Sequence, residues 1–111
     1  MSEIQIDTIL SEFKLRVMKD EPISAGEWID AAARVNALKG TLDNEVIAAE
    51  MNYNRIKSAY LLENKPNAQA DTLARSSNEY QYFKELKAKQ DRVIEFIRIA
   101  KARSKINEFN I

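Results

Sequence analysis

The chain has 111 residues, with 17 Lys and Arg balanced by 17 Asp and Glu, two Gly, two Pro, and neither Cys nor His. Without Cys there is no disulfide framework or thiolate metal site, and without His the usual general base, zinc ligand and physiological proton switch are gone as well. The length corresponds to one domain over 1–111, and a composition led by Ala, Glu, Lys, Leu, Ile and Asn is that of long helices, so the expected fold is all-α.

A first helix is expected over about 4–20. Ile6, Leu10, Phe13 and Val17 recur at 4-3-4 spacing and give it one apolar stripe, with Asp7 a candidate N-cap. Pro22 stops it. The second helix opens on a capping box, Ser24 with Glu27, flanked by Ile23 and Trp28 at the positions of a hydrophobic staple. Its apolar series runs Trp28, Ala31, Val35, Leu38, Leu42, Val46, Ala49, Tyr53, Ile56, Tyr60, holding the α-helical period through Gly40. One long helix over 25–63 is therefore expected, with Gly40 a possible kink and Thr41 a rival cap.

Such a helix is about 57 Å long, whereas a compact domain of this size has a radius of gyration near 13 Å. The overhang predicts that Trp28, Val35, Leu38, Leu42 and Val46 meet the C-terminal helix as a hairpin or a second subunit in an oligomeric bundle. Asn64, Pro66 and Asn67 then break the chain, and Asp71-Thr72 could cap a short turn. Ser76 and Glu79 repeat the capping-box spacing ahead of a last helix over 77–108. Its expected seam is Phe83, Leu86, Gln90, Val93, Ile97, Ala100 and Ser104, with Gln90 a polar residue of the kind that sets register.

No carboxylate pair is spaced as a catalytic dyad or metal cage, and no Gly-rich phosphate loop is present, so no enzyme, cofactor, metal or small-molecule substrate is expected. No stretch approaches the ~18 apolar residues of a membrane span, and no apolar run follows a basic start as a signal peptide would. The charge is uneven. Residues 1–50 hold ten acids against five bases, and residues 51–111 hold twelve bases against seven acids. The halves could pair with each other or with other copies. Alternatively, the second half presents a binding surface: at 100° per residue, Tyr80, Lys84, Lys87, Arg98, Lys101 and Lys105 share little more than one quadrant of the last helix, interrupted by Asp91 and Glu95. Cations in that order could track a phosphate backbone, with Tyr80 stacking a base.

A long helix ending in Tyr53 to Tyr60, a polar break holding Asp71-Thr72, Gln81-Tyr82-Phe83 opening the last helix and Lys101-Ala102-Arg103 closing it resemble the recombination mediator proteins of tailed phages, the UvsY type, over about residues 45–106. The resemblance implies a non-enzymatic accessory protein that binds single-stranded DNA, forms a ring-like homo-oligomer and helps load a recombinase. It adds Arg103, which closes the Lys-x-Arg, to the expected contacts. The absence of Cys, of a signal peptide and of a membrane span fits a cytoplasmic location, that of the host where a phage encodes the chain. The competing expectation is a helical protein-interaction module: an adaptor, a virion assembly component or an inhibitor of a host protein.

Overall fold

The computed structural model describes residues 2–109, and the side chains of residues 5–105. It is all-α: α1 Ser2–Met18, α2 Ala25–Leu62, α3 Asn67–Arg75 and α4 Asn78–Phe109. The contacts divide into two units. The first comprises Met1–Leu42 with Asp91–Ile111, and the second is Asp43–Gln90. Each of the two long helices contributes to both.

The capping box forms as its spacing predicts. The Ser24 N–H donates to Glu27 Oε2 at 2.9 Å, and the Glu27 N–H donates to Ser24 Oγ at 3.1 Å. Arg16 of α1 reaches across the intervening turn, donating to the Pro22 carbonyl at 2.6 Å and to Glu27 Oε2 at 3.0 Å. The Ser24 N–H and then the Arg16 guanidinium hold the Glu27 carboxyl below its ordinary pKa. A carboxylate with a lowered folded-state pKa stabilises above its unfolded value and loses that contribution as pH falls through the lowered one. Glu27→Gln is therefore expected to melt below the parent near neutral pH and to converge with it in acid, which thermal melts across the acid range measure.

α2 runs without interruption through Gly40 and Thr41, so Thr41 is no cap. Gly40 has no positive φ, and a Cβ built there meets nothing within 4 Å. Glycine in a helix interior then costs only backbone entropy. Gly40→Ala is expected to stabilise the chain by about 0.5–1 kcal/mol, read as a higher urea midpoint at unchanged slope.

Other expectations are corrected. Asp7 lies inside α1, which starts at Ser2, and so is not its N-cap. The buried face of α1 is Ile6 and Ile9, while Val17 is exposed. α1 and α2 both end in a residue with positive φ, Asp20 at 56° and Asn64 at 64°. At the first end the N–H of Asp20 bonds Val17 O and that of Glu21 bonds Arg16 O. At the second, Asn64 bonds Leu61 O and Lys65 bonds Tyr60 O. These are Schellman closures, with Asp and Asn where glycine is commonest.

The connection expected after residue 63 holds a helix of its own. α3 buries Ala70 and Ala74, and Asp71 lies inside it, where it caps no turn. Its carboxylate accepts from Tyr53 Oη at 3.3 Å and sits 3.6 Å from Lys57 Nζ and 3.2 Å from Arg75. Because α3 extends to Arg75, Ser76 becomes its C-cap. The cap of α4 moves one residue on, where Ser77 Oγ accepts the Tyr80 N–H at 3.1 Å, so the Ser76–Glu79 box does not form.

In the second unit α2 and α4 run antiparallel: Gln90 Nε2 donates to Asp43 Oδ1 at 2.8 Å, and Tyr53 meets Tyr80 with ring centroids 4.8 Å apart. Phe83 completes that aromatic group, stacked on Tyr53 at 6.1 Å. In the first unit Phe13, Trp28 and Phe96 form a second group, with centroids 5.0, 5.5 and 6.0 Å apart. The α4 seam is turned from its expected register: Lys89 and Phe96 are buried, whereas Gln90 and Ile97 are half-buried.

Candidate binding site

The residues expected to form an intersubunit stripe are covered by their own chain. Trp28 and Val46 are 5% exposed, Val35 and Leu42 fully buried, and Leu38 half-buried. A compact body of this size would be too short to cover α2. The chain instead packs α2 along its length within two units, so this stripe is core and not an oligomer surface.

The expected nucleic-acid contacts are divided. Tyr80 is half-buried, with its ring against Tyr53 and Phe83, so it is not the exposed aromatic that base stacking requires. Its 3-residue offset from Phe83 puts it beside the seam, where Tyr53 fills the facing space. Lys84 lies over that ring, its Nζ 5.7 Å from the centroid, and Lys87 donates to Gln90 Oε1 at 3.0 Å. These three belong to the second unit.

Arg98, Lys101, Arg103 and Lys105 belong to the first and are all exposed. Arg98 is engaged by Glu95 through Nε, at 3.0 Å, and through Nη2. The pairing holds the Glu95 carboxyl below its ordinary value and offsets the Arg98 charge locally. Lys101 and Lys105 share the Arg98 face at helical spacing, while Arg103 lies on another face.

The feature that sequence reasoning missed is beside Arg103. In the first unit α1 and α4 frame a groove of about 610 Å³ over the Phe13–Trp28–Phe96 rings. Leu10, Val17, Met18 and Ile99 line it, and Val17 and Met18 are 48% and 70% exposed. Lys14, Arg92 and Arg103 stand on its lining as exposed cations, with Asp7 and Glu95 as the acids there. The adjacent apolar pair Val17-Met18 beyond the Ile6–Ile9 face was the available signal. Val17 continues a 4-3-4 series, so spacing alone puts it on the same stripe as Ile6.

Among the described residues no group of three or more acidic side chains is placed to hold a metal ion, and no helix is long and apolar enough to cross a membrane. No protein-family model, curated protein or solved structure matches the chain.

Proposed function

We propose that the chain is a non-enzymatic helical interaction module whose working surface is the α1–α4 groove of the first unit, and that its ligand is an acidic amphipathic helix of another protein. The observation that carries this reading is the exposure of Val17, Met18 and Ile99 beside a ready aromatic floor, with Lys14, Arg92 and Arg103 around them. A helix-in-groove complex needs an apolar trough that takes i, i+3, i+4 and i+7 side chains. Flanking charge then selects the partner's polar face and speeds encounter. Glu95 is already held by Arg98, so the cations dominate the lining.

A second reading, the single-stranded DNA-binding recombination accessory, is supported by the exposed Arg98, Lys101 and Lys105 on one face of α4. It uses phosphate contacts without aromatic stacking. With the Arg98 charge offset by Glu95, Lys101 and Lys105 supply two such contacts and a salt slope near −1.4, at about −0.7 each.

Trp28 is the only Trp and lines the groove, so its fluorescence reports occupancy. Titration with an acidic amphipathic peptide, its charge-inverted version and an oligothymidine separates the readings. The first expects a Trp28 response to the acidic peptide alone, abolished by Ile99→Glu with helicity kept. Equal response to both peptides, or none, overturns it. Salt-dependent oligothymidine binding that Lys101→Ala with Lys105→Ala removes establishes the second.

A further inference from the structure

α2 carries an uncharged face in the second unit that the antiparallel pairing with α4 does not use. Val46 and Ala49 are buried there, and Tyr53, Ile56 and Tyr60 half-buried, as its inner side. On the outer side Asn44, Ile47, Met51, Asn54, Ser58 and Leu61 are all exposed, with Ile47 and Met51 at 57% and 52%. Their spacing is 3-4-3-4-3, a heptad seam, and none of the six is ionisable. An ordinary solvated helix face carries charge, so this one has the composition of a contact.

We propose that this face pairs with its counterpart on a second copy of the chain, as a parallel, in-register two-helix seam. The argument for a second copy, and for the parallel arrangement, is charge complementarity at the flanks. With Asn44, Met51 and Ser58 at the a positions and Ile47, Asn54 and Leu61 at d, Glu50 falls at g and Arg55 at e of the following heptad. In a parallel pair, g of one helix meets e five residues further along the other. Glu50 and Arg55 are that far apart, both are exposed, and two-fold symmetry forms the pair twice. An antiparallel pair centred on the seam would set Glu50 near Lys57, which is half-buried and held by Asp71 of its own chain at 3.6 Å, whereas Arg55 is exposed and its contact to Asn52 of its own helix is a long one, at 3.5 Å. Asn44 meets its own counterpart at a, the placement by which a polar residue selects two strands and fixes register. None of the groove residues takes part, so the inference stands independently of the function proposed above.

Sedimentation of the full chain tests it. The wild type is expected to form a concentration-dependent dimer, a weak one because three of the six seam residues are polar. Ile47→Glu with Met51→Glu alters only exposed side chains and is expected to leave the chain helical and monomeric. Glu50→Arg and Arg55→Glu are each expected to weaken association about tenfold, and together to restore it, because the double exchange re-forms both pairs. The chain has no Cys, so Ser58→Cys gives one thiol, which in the parallel register oxidises to a covalent dimer. A monomer at a hundred micromolar, a dimer indifferent to Ile47 and Met51, or single exchanges without effect would overturn the proposal. So would failure of the Ser58→Cys chain to cross-link while it still dimerises.

Discussion

Phe96→Ala is expected to lower the unfolding free energy by about 3–5 kcal/mol, the range for removing a large aromatic side chain from a core. Phe96 is 9% exposed and holds two ring partners, meeting Phe13 edge to face at 5.5 Å and Trp28 tilted at 6.0 Å. Each such aromatic pair adds about 0.5–1.5 kcal/mol beyond the area it buries. Loss of the ring also opens one wall over Trp28, so the folded variant is expected to emit further to the red than the parent. Urea unfolding followed at once by circular dichroism and Trp fluorescence measures both effects. The Phe13→Ala, Phe96→Ala cycle is expected to be non-additive, because the two rings touch. A loss below about 1 kcal/mol would fall short of the burial term alone and would show that Phe96 is not packed as a core ring.

Leu42→Ala is the second large effect, at about 2–5 kcal/mol. Leu42 is fully buried within its own chain. The loss should therefore be the same at any protein concentration, whereas a residue covered by a second subunit would give a concentration-dependent midpoint. Leu42→Glu goes further, since an ionised carboxylate taken from water without a partner is far more costly than a void. That variant is expected to be unfolded outright, not a folded monomer. Chemical denaturation at two protein concentrations tenfold apart, with Leu42→Ala placed in the Ile47→Glu, Met51→Glu chain, decides the matter, and a midpoint that still moves with concentration would return Leu42 to an interface.

Helix positions were legible in the sequence wherever period and punctuation agreed. The Ser24–Glu27 box marks the start of α2, and the phase carried from Trp28 to Tyr60 holds it unbroken across Gly40. α3 was not legible. Nine residues with two buried alanines leave too short a pattern to distinguish from a turn, and the helix is placed by Asp71 meeting Tyr53 and Lys57, partners 18 and 14 residues earlier. Tertiary contacts of that kind override local preference.

The binding surfaces were harder still. Periodicity tells which residues can share a face but not which of two apolar faces the fold covers. Periodicity therefore leaves the inner stripe of α2 open to cover by the C-terminal helix or by a second subunit, and puts Val17 on one stripe with Ile6 although it is exposed. Tyr80 misled for the same reason, because an aromatic one step off a seam is exposed only when the facing helix leaves room for it, and Tyr53 does not. The cations at Arg98, Lys101 and Lys105 were read correctly as exposed, since long charged side chains rarely go anywhere else.

The way α3 is held has its own consequence. Its buried side chains are the methyl groups of Ala70 and Ala74, and its side-chain ties to α2 are partly exposed, Asp71 meeting Tyr53 and Lys57 and Arg75 meeting Tyr53. Methyl groups contribute little burial free energy, and partly exposed ion pairs contribute little more. A segment held this lightly opens on its own, well below the free energy of global unfolding. Amide hydrogens in α3 should then exchange with solvent together, in a faster class than those of the α2 and α4 interiors. A protease acting on the native protein would find its first cut between residues 64 and 77, leaving two long fragments that remain associated.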